Sequence, residues 1–201
     1  RRGCRRGRRP RGGRGRGACT ATLLAFCAGL CSFLEAGDWP TWRHDSRRSG
    51  SSPEKIPAKL ELEWHRQWPA PEPAYRSPRL QFDAGYEPVV MADRVFLASS
   101  RDDSVTALHL GNGLRIWRFH ADGPVRFAPV AFDGRVYCGS DDGYLYCLRA
   151  RSGQLEWKFR AAPSNRRLLG NGRIISAWPI RGGPVLHDGK IYFAAGVWSF
   201  E

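Results

Sequence analysis

From residue 86 onward, apolar and polar positions alternate in short runs, and the runs return at a fixed interval. Residues 86–119 read YEPVVMADRVFLASSRDDSVTALHLGNGLRIWRF, and residues 127–159 read FAPVAFDGRVYCGSDDGYLYCLRARSGQLEWKF. Pro88, Val95 and Ser99 recur 41 positions later as Pro129, Val136 and Ser140; Leu108, Gly113 and Trp117 recur 40 positions later as Leu148, Gly153 and Trp157. A third copy starts at Gly183 and reaches Glu201 halfway through the unit. Each unit holds four runs rich in β-branched and aromatic residues, separated by Asp, Gly and Ser turns, which is the pattern of antiparallel strands joined by hairpins. Residues 95–99 and 136–140 form second strands, and 144–148 returns as a third strand after a two-residue turn at Asp142-Gly143. Trp117 and Trp157 lie on the fourth. No segment has helical periodicity. Short strands repeating at about 40 residues mark propeller blades, which bury their faces only against neighbours. The expected fold is all-β: a β-propeller of four-stranded antiparallel blades, truncated after about two and a half, in residues 85–201.

Residues 37–84 lead into the blades. Their first part, GDWPTWRHDSRRSGSSPEKIP, has loop composition. Residues 60–68 (LELEWHRQW) place Leu60, Leu62, Trp64 and Trp68 on one face, as a half-buried strand does. A Pro-rich connector follows.

Charge changes the picture only at the front. The net charge is +13, but nine of the arginines fall within residues 1–17, which hold no acid. An apolar run at 18–34 and a small-residue site near Ala36 come next. That order describes a basic leader and signal peptide over residues 1–36. The run is short for a membrane span and ends sharply at Glu35, Asp38 and Pro40. The reading is an exported protein, periplasmic, envelope or extracellular, with no transmembrane segment in the mature chain. No aromatic or motif support accompanies the arginines, so nucleic acid is not an expected partner. Export removes Cys4, Cys19, Cys27 and Cys31, leaving Cys138 and Cys147 in a compartment that permits disulfides. With a two-residue turn at Asp142-Gly143 these two oppose each other, either as a disulfide or as two buried thiols.

Candidate chemistry is sparse. Glu87, Arg126 and Arg181 stand just before the inner strands, where successive blades converge on a channel mouth. A ring of these charges suits a polar or anionic ligand, or serves as a rim of internal ion pairs. Residues 160–182 interrupt the repeat, either as a functional overhang or as a surface excursion. Trp198 is a ligand platform or a loop anchor. Asp102, Asp103, Asp141 and Asp142 fit hairpin-turn chemistry better than calcium. No metal site and no catalytic set are expected.

The stretches 107–117 (ALHLGNGLRIW) and 147–157 (CLRARSGQLEW) resemble the tryptophan-docking motif AxDxxxGxxxW of quinoprotein alcohol dehydrogenase propellers and their cofactor-free relatives. His109 and Arg149 stand where the motif has Asp, and Cys147 where it has Ala. The resemblance implies structural roles for Gly113, Trp117, Gly153 and Trp157, each Trp packing against the next blade with its indole N–H bonded to backbone. It also implies a choice of functions. Cofactor-free members use the propeller as a platform for a protein, glycan or small-molecule ligand. The alternative is a PQQ-dependent oxidoreductase acting on an alcohol or sugar, with calcium and commonly a disulfide between adjacent cysteines. This sequence has no adjacent Cys pair. The expectation is a binding or scaffold protein without a cofactor.

Overall fold

The computed structural model describes residues 37–74, 83–170 and 172–196. The leader and Trp198 lie outside the described residues. Two four-stranded antiparallel sheets dominate, each in chain order. The first contains β1 (Val89–Met91), β2 (Arg94–Ser99), β3 (Ser104–His109) and β4 (Arg115–His120). The second contains β5 (Val130–Phe132), β6 (Arg135–Gly139), β7 (Tyr144–Arg149) and β8 (Leu155–Arg160). A hairpin, β9 (Arg167–Gly170) with β10 (Arg173–Ser176), occupies the interruption of the repeat, and β11 (Val185–His187) pairs with β12 (Lys190–Tyr192) in the third unit. These are β-propeller blades.

The main core lies between the two complete blades. Phe96, Ala98, Val105, Ala107 and Trp117 from the first meet Val136, Cys138, Tyr146, Leu148 and Ala150 from the second. Alternation along each strand divides its residues between two neighbours. Phe96 faces the second blade, while Val95 and Leu97 line the opposite side of the first.

In both blades the outer pairing slips at the same place. Trp117 opposes Ala107 and Arg115 opposes Leu108, so one extra residue bulges from β4; Trp157 opposes Cys147 and Leu155 opposes Leu148 in β8. A bulge of this kind re-aims the adjacent side chain. In the first blade it delivers Trp117 onto the second: its indole N–H donates to Ala150 O at 2.8 Å, and its ring lies over Gly153. Gly153 has φ +72°, and a Cβ there would stand 2.6 Å from the Trp117 ring. Trp157, on the side facing the third unit, is 42% exposed, with no indole hydrogen bond among the described residues.

Two expectations need correction. The β6–β7 hairpin closes through three residues, Asp141, Asp142 and Gly143, with Ser140 N donating to Tyr144 O and Gly143 at φ +87°. A three-residue loop with a left-handed glycine shifts the register by one position relative to a two-residue turn. Cys138 therefore opposes Tyr146 and Cys147 opposes Tyr137, on opposite faces of the sheet. Both are free, buried thiols, and no disulfide joins them. Burial pushes the Cys147 thiol up to about 11 and the Cys138 thiol higher still. Residues 60–68 enter no ladder among the described residues, and Leu60 and Leu62 are exposed rather than half-buried.

Candidate functional site

Arg126 lies in the connection from β4 to β5, Arg181 in the approach to β11, and the structure brings them together on one carboxylate. Arg126 Nε donates to Asp141 Oδ2 at 2.7 Å, while Arg181 Nε and Nη2 reach Asp141 Oδ1 and Oδ2 at 3.0 and 3.1 Å. Arg126 Nη1 also donates to Asp83 Oδ2 and to Glu72 O, each at 2.8 Å. Two guanidinium groups and two carboxylates balance in charge. The Arg126 side chain is 2% exposed, Asp83 1% and Asp141 0%. Buried charges persist only when paired and hydrogen-bonded, and these have each other. The two arginines are thus joined internally rather than held out to a ligand, because the hairpin tip and the lead-in connector supply carboxylates that the repeat does not announce.

Glu87 is likewise engaged. Its Oε2 accepts Ala128 N at 3.0 Å, joining the approaches to β1 and β5. Burial raises its pKa, opposed by that bond and by Arg48 nearby. A raised acid pKa means the folded state holds the proton more firmly. Its contribution to stability is full below the ordinary carboxyl range and is lost as pH rises through the raised value. The neutral variant Glu87→Gln keeps an acceptor for Ala128. Melting measured across mildly acidic pH should show wild type losing stability with rising pH over that window and the variant losing less; equal slopes would refute the assignment.

The inner strands are not open either. Trp39 exchanges backbone hydrogen bonds with Val90 at 2.9 and 2.8 Å, Pro40 O accepts Ala131 N, and Arg48 Nη2 reaches Gly183 O. The lead-in segment therefore runs across β1 and β5 to the third unit. Trp42 is packed against the core, with the guanidinium groups of Arg48 and Arg43 at 4.8 and 5.8 Å from its ring.

The interruption of the repeat also presents side chains to solvent. Arg173 grips Asp103 with both terminal nitrogens, Nη1 at 2.7 Å from Oδ1, and donates to Ser100 O. Ser176 N donates to Asp141 O and Ile180 N to Ser140 O. Ile180 is buried against Gly139, where a Cβ would stand 2.3 Å from Ile180 Cγ2. The hairpin β9–β10 is thus fastened to the tips of both blades. Its outer side shows the cross-strand pair Leu169 and Ile174, 76% and 65% exposed, beside exposed Leu168, Arg166 and Arg167. Between residues 160 and 182 there are five arginines and no acid.

Among the described residues, no three His, Cys, Asp or Glu side chains are grouped to hold a metal ion. Also among the described residues, no helix is long and apolar enough to cross a membrane.

Comparison with known proteins adds three findings. The profile of the PQQ_2 family, described as outer membrane protein assembly factor BamB, matches residues 37–196. Tetrathionate hydrolase of Acidithiobacillus ferrooxidans is 33% identical over 73 residues, 36% of this chain and 12% of that protein. Among solved structures, two quinohemoprotein alcohol dehydrogenases share the fold. That of Pseudomonas putida HK5 has a TM-score of 0.56 and 20% identity; that of Comamonas testosteroni has 0.55 and 22%. Each alignment covers 80% of this chain and 23% of the dehydrogenase, so the chain spans about a quarter of their length.

Proposed function

We propose that this chain, which belongs to the PQQ_2 family described as outer membrane protein assembly factor BamB, is part of an exported propeller that works by binding another protein. The carrying observation is the rigidly fastened hairpin β9–β10 with its exposed Leu169–Ile174 pair. Isolated exposed apolar residues are ordinary, but a cross-strand pair on an anchored hairpin, edged by arginines, has the makeup of a docking surface. The partner chemistry it suits is an apolar notch with acidic residues at its rim. The approaches to the inner strands suit this role less well: Trp39 and Pro40 of the lead-in segment bond to β1 and β5, and Arg126 and Arg181 are committed to Asp141.

The test is comparative capture from an envelope fraction by wild type and by a Leu169→Glu/Ile174→Glu variant. A discrete partner should be held by the wild type, weakened by salt, and lost from the variant, whose melting temperature should stay within a few degrees of wild type because both side chains face solvent. Identical captured sets would remove the hairpin from the interface. The oxidoreductase reading gains ground if PQQ with calcium raises the melting temperature and supports dye reduction with an alcohol or sugar.

A further inference from the structure

At the β2–β3 end of the first blade, the lead-in connector and the blade form a cavity of about 350 Å³ whose polar wall is mostly guanidinium. Arg66, Arg101 and Arg118 line it against a single acid, Asp102. Trp68 and Tyr86, in edge contact at 6.3 Å between ring centroids, supply its apolar part together with Pro69. A cavity of this size, with an apolar wall and a few placed polar groups, has the proportions of a small-molecule site.

Two of the three cations are held in place by the protein itself. Arg118 Nε donates to Thr106 Oγ1 at 3.0 Å and its Nη1 meets Asp102 Oδ2 at 3.0 Å, which leaves Nη2 without a partner among the described residues. Arg66 Nη1 donates to Gly113 O at 2.9 Å. Both guanidinium groups also lie against Trp68, at 5.2 Å (Arg66) and 5.9 Å (Arg118) from its ring centroid, a cation–π contact that orients them further. Asp102 is engaged as well, with Ser104 Oγ donating to its Oδ1 at 2.8 Å. Burial works to raise its pKa, but hydrogen bonds from Ser99 and Ser104 and the charge of Arg118 outweigh burial and hold the carboxyl below its ordinary range. It stays ionised and cancels Arg118. Arg101, exposed at the rim, has no side-chain partner among the described residues. Three guanidinium groups less one carboxylate leave the cavity wall with an excess of two positive charges.

The second blade shows that the repeat does not require such a space. Tyr146 stands 40 positions after Thr106, and Lys158 stands 40 after Arg118. There the Tyr146 ring packs 5.4 Å from Phe119 and its hydroxyl donates to Asp142, with Lys158 at 5.9 Å from the same ring. Aromatic side chains fill the place. In the first blade Thr106 leaves that volume open and gives Arg118 an acceptor along the sheet. We propose that the cavity binds a small cyclic acid, of the class of uronic acids and sugar phosphates. Its carboxylate or phosphate meets Arg101 and the open edges of Arg66 and Arg118, since guanidinium forks match either oxyanion in two-point contacts. Its ring rests on the wall of Trp68, Tyr86 and Pro69, with the Gln67 amide in reach of a hydroxyl. A neutral sugar leaves the cations unpaired, and a bare anion leaves the apolar wall uncovered. No residue of β9–β10 takes part, so the proposal stands apart from the partner-protein reading.

The test is calorimetric titration of the full chain at low salt with glucuronate, glucose 6-phosphate, inorganic phosphate and glucose. Saturable binding of at least one of the two anionic sugars is expected, about tenfold or more tighter than that of glucose or inorganic phosphate. Arg101→Gln should weaken it about tenfold, the effect of losing one hydrogen bond to a charged group. The melting temperature should not move, because that side chain has no partner to lose. Arg47→Gln, at an exposed arginine of the lead-in segment, should leave binding unchanged. The inference is overturned if neither anionic sugar binds saturably, if glucose or inorganic phosphate binds as tightly, or if the two arginine variants lose affinity equally.

Discussion

Replacing Arg126 by methionine should cost about 3–5 kcal/mol, the range for removing one partner from a buried charge pair. The substitution keeps much of the side chain's length but leaves Asp83 without its cation and Asp141 with Arg181 alone. Since Asp83 is 1% exposed, water cannot take over without opening the contact between the connector and the β6–β7 tip. Thermal unfolding should show a fall on the order of 10 °C for a domain of this size. Arg126→Lys should recover part of the loss, because one ammonium cannot span both carboxylates as the guanidinium fork does. A change below about 1 kcal/mol for the methionine variant would mean that the cluster is hydrated and contributes little.

The second large effect is expected at Trp117. Truncation to alanine removes an indole that is 8% exposed together with its bond to Ala150 O. Large-to-small changes at such sites cost about 3–5 kcal/mol. Trp157 offers an internal control, with the same repeat position and opposite strand but 42% exposure. Trp157→Ala in this chain should cost less than half as much. The same interface can be attacked from the other side. Gly153→Ala combines a positive φ with a Cβ 2.6 Å from the ring, and should destabilise by about 1–3 kcal/mol. Equal losses for Trp117→Ala and Trp157→Ala, measured by denaturant unfolding, would show that the blade interface is not what Trp117 supports.

The blades were legible in the sequence because their determinants are local and repeated. Gly153 needs a left-handed turn and Trp117 needs a neighbour, and both recur at a period visible without structure. The hairpin register was not legible at the same level. Asp142-Gly143 reads as a complete two-residue turn, yet Ser140 and Tyr144 close a three-residue loop, and that single step separates Cys138 from Cys147. The charge cluster was half legible. Arg126 and Arg181 stood out by their place before the inner strands, whereas Asp83, 43 residues from Arg126, carried no pattern. Asp141 in sequence fits turn chemistry alone, and only the fold brings both arginines to it.

The contact of Ile180 with Gly139 bears on how separable the interrupting segment is. The counterpart of Gly139 in the first blade is Ala98, 41 residues earlier, so the two blades differ where only the second must admit a side chain from outside its own sheet. The second blade has no Cβ at the place where Ile180 packs. Excising the segment would leave an uncovered notch on β6, and grafting it onto the first blade would drive Ile180 into Ala98. Host and guest are matched at one atom's breadth, and swapping segments between blades requires exchanging that residue as well.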